Sequence, residues 1–223
     1  MPREVATHVI RIFDPAREGF FRRMLRLVSV LAVLGMCGLV VAGAWAWRSE
    51  RVRFGTAFLL SELRLHQASL YVCRELVRQH PAASWDYYRL QAKALRHLGR
   101  VEESLAVYDA AIAALPDSWW AHSHRCFYNA LYADPRPVLD SCDRQLDLSP
   151  SAPDVAWDRR AIARARTGDR AGAIADMERA LALMRELQVE LWRVPVREAW
   201  LATLRAGGDP FTPAELAAER ARY

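Results

Sequence analysis

From Leu27 to Trp47 the chain runs for twenty-one residues without a charged side chain. An α-helix needs about 20 apolar residues to cross roughly 30 Å of hydrocarbon, so this stretch constrains the rest of the chain more than any other feature. Ser29 is its one strong hydrogen-bonding side chain, and a helix can return that hydroxyl to its own backbone. Trp45 and Trp47 fall where an interfacial aromatic belt lies, and Arg48 and Arg51 follow. The pattern predicts a transmembrane helix over 27–47. Ahead of it, residues 1–26 place Phe20, Phe21, Met24 and Leu25 among arginines, an amphipathic, basic approach to an interface. Small-x-small sites at Ala42-Gly43-Ala44 and Ala44-Trp45-Ala46 raise the alternative of a cleaved signal. The run exceeds the roughly 7–15 residues of a signal core, however, and a long segment precedes it. An uncleaved anchor is the expectation. Within it, Gly38 and Ala42 form a small-xxx-small pair, with Gly35 one turn earlier, which would let a second membrane helix approach closely.

Charge says less. Lys and Arg number 31 against 26 Asp and Glu, a formal +5. That excess is too diffuse to point to nucleic acid and suits an anionic surface or an acidic partner. Arg11, Arg17, Arg22, Arg23 and Arg26 precede the apolar run, while Arg48, Arg51, Arg53 and Arg64 follow it. This narrow asymmetry favours an amino terminus on the cytoplasmic side and a body outside the cytoplasm.

The body repeats itself. Trp85–Ser118 and Trp119–Ala152 align at a spacing of 34 residues, and a third unit starts at Asp154. In the first unit Tyr88 is a large aromatic, Ala92 and Ser104 are small, Gly99 lies at the reversal, and Tyr108, Ala111 and Pro116 follow. The third repeats this with Trp157, Ala161, Gly168, Ala173, Met177 and Ala180. The second is irregular: Cys126 holds the small position, Val138, Cys142 and Gln145 replace the later set, and Asp134-Pro135 stands at the turn. Small residues let antiparallel helices approach, and glycine supplies the backbone freedom that reversal needs. Apolar spacing such as Leu105, Tyr108, Ala111 and Ile112 is helical, with no strand-like alternation.

These units resemble tetratricopeptide repeats, helical hairpins of about 34 residues that bury their faces by stacking. The resemblance covers close to half of the chain. It implies an all-α fold: a transmembrane helix, then an α-solenoid of three to four hairpins, three of them repeats over 85–187, closed by capping helices over 188–223. Residues 48–84 read as a degenerate hairpin without a turn glycine, its first helix continuing from the membrane helix with little break. In the cap, Pro195 is expected to kink or divide a helix. Thr212, Pro213 and Glu215 mark a helix start.

In this family the first helix of each unit lines a concave groove. Carried over by position, the groove takes Asp86, Arg89, Lys93 and Arg96 from the first unit. It takes Trp120, Ser123, Phe127 and Ala130 from the second, and Val155, Asp158, Ile162 and Ala165 from the third. Such a surface, basic at one end and apolar in the middle, suits a peptide or helix of a protein partner carrying acidic and hydrophobic residues. The competing reading is that Trp120, Phe127 and Ile162 are covered by the cap, whose own tryptophans need burial.

Little chemistry is on offer. His122, Cys126 and Cys142 are the nearest approach to a metal site. Packed small residues, or a Cys126–Cys142 disulfide in an oxidising space, explain the cysteines with less. There is no phosphate-cradling glycine loop, serine elbow or paired-carboxylate set. The expectation is no enzyme, no metal and no cofactor. The function expected is a membrane-anchored scaffold or adaptor that recruits another protein into a membrane or envelope complex, similar to bacterial inner-membrane proteins of this type. The alternative is a permanent accessory subunit of a respiratory or photosynthetic assembly.

Overall fold

A computed structural model describes residues 49–148 and 153–223. The expected segment 1–26, the expected membrane helix 27–47 with Gly35, Gly38 and Ala42, and Pro150 lie outside the described residues. Among the described residues no helix is long and apolar enough to cross a membrane. Contacts divide the chain into two units, Met1–Arg53 and Phe54–Tyr223, and the helical hairpins belong to the second.

The described residues form ten α-helices and no strand. After a bend at Ser49 come α1 (Glu50–Glu62), α2 (His66–Gln79), α3 (Trp85–His97), α4 (Val101–Ala114) and α5 (Trp119–Tyr132). Next are α6 (Leu139–Leu148), α7 (Pro153–Arg166), α8 (Arg170–Leu187), α9 (Val194–Arg205) and α10 (Pro213–Arg220), with short 3₁₀ turns at Arg136–Val138 and Leu191–Arg193. Consecutive helices pair as hairpins and the hairpins stack, a solenoid-like arrangement.

Boundaries follow the residues that satisfy free helix ends. The hydroxyls of Ser84 and Ser118, one repeat apart, accept from the amides of Asp86 and Ala121. Asp169 and Thr212 do the same for Gly172 and Glu215. Gly99 (φ 75°) and Gly168 (φ 90°) reverse the chain in the left-handed region. Between α1 and α2 that duty falls on Arg64, at φ 59°. Pro195 lies in the first turn of α9, where its missing N–H costs nothing. It starts that helix rather than kinking one, and residues 188–193 before it form turns with Gln188 and Glu190 left-handed.

The small residues act as the spacing predicts. Ala57, Ala92 and Ala161 are sealed between helices. Buried Ser104 donates to the Ala92 carbonyl at 3.0 Å, and Ser69 donates to Ala57 at 2.8 Å. The α1–α2 pair therefore shares this serine-to-alanine contact with the hairpin that follows it. The irregular second hairpin is closed differently, by a disulfide between Cys126 on α5 and Cys142 on α6. Buried Gln145 donates to the carbonyls of Cys142 and Ala156. One core runs through the stack from Leu70 and Tyr88 to Met177, Trp200 and Leu216.

Candidate functional site

Stacked first helices α3, α5 and α7 carry the twelve positions expected to line a groove, and the structure divides them into two groups. The first group is accessible. On α3, Arg89 pairs with Asp86 at 2.9 Å and Lys93 with Glu62 at 3.1 Å, all partly exposed. On α5, Trp120 is 40% exposed and stacks on Trp119 with centroids 3.9 Å apart. Arg96 lies at the boundary. Its guanidinium donates to the hydroxyls of Tyr108 (2.6 Å) and Tyr128 (3.1 Å) and covers the Tyr128 ring at 3.9 Å. Val155 and Ala165 are partly buried, and Ala130 is fully buried.

The second group corrects the expectation of an open groove. Ser123, Phe127, Asp158 and Ile162 are buried, each no more than 1% exposed. Arg197 of α9 meets Asp158 and Tyr223 packs on Phe127, while Arg159 of α7 covers Ser123. The cap buries Trp200, Leu201, Leu204, Phe211 and Leu216, with α9 packed against α8 and Trp200 edge-on to Phe211.

Polar groups fix how the cap sits. Arg197 on α9 donates to both Asp158 oxygens, Nε at 2.7 Å and Nη2 at 3.0 Å, and Nη2 also reaches Glu219 of α10 at 2.6 Å. All three residues are about 1% exposed or less. Arg193 adds a second guanidinium 3.6 Å from Asp158. Burial alone would raise the Asp158 carboxyl, but the charge and hydrogen bonds of Arg197, with Arg193 behind it, outweigh burial and hold it below the usual range. Burial likewise opposes the charged Arg197, and the two carboxylates more than reverse that.

Next to this network lies a second buried cation. Arg159 on α7 donates to Ser123 Oγ at 2.8 Å and stands 5.0 Å from the Phe127 ring. It lies 3.2 Å from His124 Nδ1, and no carboxylate pairs with it among the described residues. That same His124 nitrogen is 2.9 Å from the Trp120 carbonyl. Its tautomer therefore chooses between donating to Trp120 and accepting from Arg159. Burial first, then the charge of Arg159, push the His124 pKa well below its ordinary value and keep the ring neutral. Trp85, Tyr108, Trp120 and Tyr128 surround it at centroid distances of 5.0–6.0 Å.

His122 is occupied elsewhere, with its ring nitrogens 3.3 Å from Ser141 Oγ and 2.9 Å from the Pro116 carbonyl. The Cys126 and Cys142 sulfurs are bonded to each other. Arg193, Arg197, Glu219 and Tyr223 are not among the residues that the sequence marks out. One signal was available: an aspartate at position 158, on a face otherwise apolar, requires a cation. Arg197 on α9 and Arg193 in the turn just before it supply it.

The accessible half presents exposed indole and cationic side chains, and the sealed half presents a hydrogen-bonded charge network around aromatic rings. In comparisons with known proteins, no family model and no curated protein matches the chain.

Proposed function

We propose that this chain is a non-enzymatic scaffold of tetratricopeptide-like hairpins, held at a membrane by residues 27–47. In this reading it engages a partner protein through the accessible half of its concave face. What carries it is the division of that face: Phe127, Asp158 and Ile162 are sealed, whereas Trp120 is exposed and Arg89 and Lys93 are partly exposed. An exposed tryptophan beside paired surface cations is the composition that protein interfaces favour, since Trp and Arg are enriched among the residues that dominate binding. The partner segment that fits is one with apolar and acidic side chains.

A second reading, a permanent accessory subunit, is favoured by the α1–α2 hairpin. Phe58, Leu59, Leu63 and Tyr71 are 47–75% exposed there. Apolar side chains gathered on one hairpin mark an interaction surface more often than isolated ones do.

A photoreactive residue at Trp120, with a second at Leu59, tests both in intact membranes. The scaffold reading expects transient crosslinks from Trp120 to one protein and recovery of the chain mostly alone in mild detergent. Crosslinks only from Leu59, with stoichiometric copurification, would favour the subunit reading. Absence of crosslinks at either position, or a full-length chain that stays out of the membrane fraction, would remove both. Protease accessibility in sealed vesicles tests whether the body lies outside the cytoplasm.

A further inference from the structure

Helix α10 is attached to the hairpins by a handful of side chains. Of its eight residues only Leu216 and Glu219 are buried. Glu219 accepts from Arg197. Arg220 donates to the Leu131 carbonyl in the last turn of α5 and lies 4.8 Å from the Tyr132 ring. Tyr223 stands edge-on to Phe127 at 5.0 Å, with the Arg193 guanidinium 5.4 Å from its ring. A surface cavity of about 590 Å³, lined by Ala199, Thr203, Pro210, Glu215 and Arg222, opens between α9 and this segment. An eight-residue helix does not persist in water unaided, so the surface beneath α10 is what holds it in shape. Helix α9 is fixed far more firmly, by buried Trp200, Leu201, Leu204 and Arg197. Segments with few buried apolar contacts open at lower free energy than the core they rest on.

The receiving surface has a definite chemistry. Arg197 divides its donors between Asp158 and an arriving carboxylate. Arg159, buried nearby, has no carboxylate of its own among the described residues. The last carbonyls of α5 accept from a cation, as helix ends favour. Phe127 offers a ring face to an aromatic edge.

We infer that Phe127, Leu131, Tyr132, Arg193 and Arg197 form a recognition site for a short helix bearing carboxylate, cation and aromatic in the spacing Glu-Arg-x-x-Tyr, and that residues 211–223 are its resident, exchangeable occupant. A partner helix of the same chemistry enters when α10 leaves. This site is separate from the accessible half around Trp120, so it stands or falls independently of the scaffold reading.

The test uses the full chain in mild detergent with a protease site set into the exposed Gly207-Gly208 loop. After cleavage, a fluorescent synthetic peptide of residues 209–223 is added. The expected result is uptake by the cleaved protein and at least tenfold weaker uptake by the uncut protein. Peptides carrying Glu219→Ala or Tyr223→Ala should each bind at least tenfold more weakly than the parent. Failure of the label to enter a cleaved protein that keeps its helicity would overturn the proposal. So would equal binding of the Glu219→Ala peptide, or unfolding of the hairpins on cleavage, which would make α10 a structural member. Hydrogen exchange on the uncut chain supplies a second measurement. Amides of 216–221 should exchange well before those of α7 and α8, and exchange only together with them contradicts the inference.

Discussion

Replacing Asp158 with alanine should be among the most damaging single changes in this protein, and the structure allows the cost to be worked out. Asp158 is fully buried, accepts two hydrogen bonds from Arg197, and lies 3.6 Å from Arg193. Arg197 is also buried, and its Nη1 has no partner among the described residues. The substitution leaves Arg197 with Glu219 alone, and an uncompensated guanidinium in a sealed site. Breaking a buried ion pair from one side costs about 3–5 kcal/mol, against a total stability of about 5–15 kcal/mol for a domain. The folded-to-unfolded ratio should therefore fall by roughly two to four powers of ten.

Urea denaturation of the full chain in mild detergent, followed by circular dichroism and tryptophan emission, measures this. Trp200 lies 4.3 Å from the Arg197 guanidinium and reports locally on the network. Removing the Asp158–Arg197–Glu219 triad by combining Asp158→Leu, Arg197→Met and Glu219→Leu should recover most of the loss, because apolar replacements of similar volume are often neutral or better. Acid provides an independent check. The folded pKa of Asp158 is depressed, so its stabilisation is complete above the ordinary aspartate value of about 4. It fades as pH falls towards the folded value, and the gap between wild type and Asp158→Ala should narrow over that range. A single-variant cost below about 1 kcal/mol, or a triple variant no better than the single, would refute the reasoning.

Other expectations follow from separate parts of the fold. Reduction of Cys126–Cys142 frees a loop of 16 residues and should cost about 3 kcal/mol; an unchanged melting midpoint with both thiols shown free would contradict this. His124 is held neutral, so the unfolded chain binds its proton first, and stability should decline as pH drops below about 6.5 by up to about 1.4 kcal/mol per unit. His124→Gln should flatten that slope in denaturation curves taken across the range. Gly99→Ala and Gly168→Ala meet no atom within 4 Å, so each should cost only the left-handed backbone penalty of about 1–2 kcal/mol. Arg64→Gly, at φ 59°, should raise stability by up to about 1 kcal/mol in the same assay.

What could be read from the residues, and what could not, separates along a physical line. Hairpin boundaries were legible because they depend on local chemistry: Gly99 and Gly168 at reversals, Thr212 and Pro213 at a helix start. Each of those requirements is met within a few residues of the position that states it. The kinship of the α1–α2 pair with the later hairpins was partly hidden, because Arg64 replaces glycine at the turn. The Ser69–Ala57 contact that reveals the kinship is a side chain meeting a backbone across two helices.

The closed state of the concave face was harder to read, since a repeat pattern states which side of a helix is turned inward but not what lies against it. Asp158 and Arg197 are 39 residues apart, and neither position declares the pairing. Yet the requirement was present in the composition of the cap. Trp200, Leu204, Phe211 and Leu216 have to be buried, and a buried aspartate cannot stay charged alone. In the structure both are met by one cap, which buries its apolar side chains and brings Arg197 to the aspartate. A repeat that places a carboxylate in its groove and arginines four apart in its cap has therefore encoded its own occupant. Elsewhere along that face, at Trp120, nothing in the cap answers, and that is where the surface stays open.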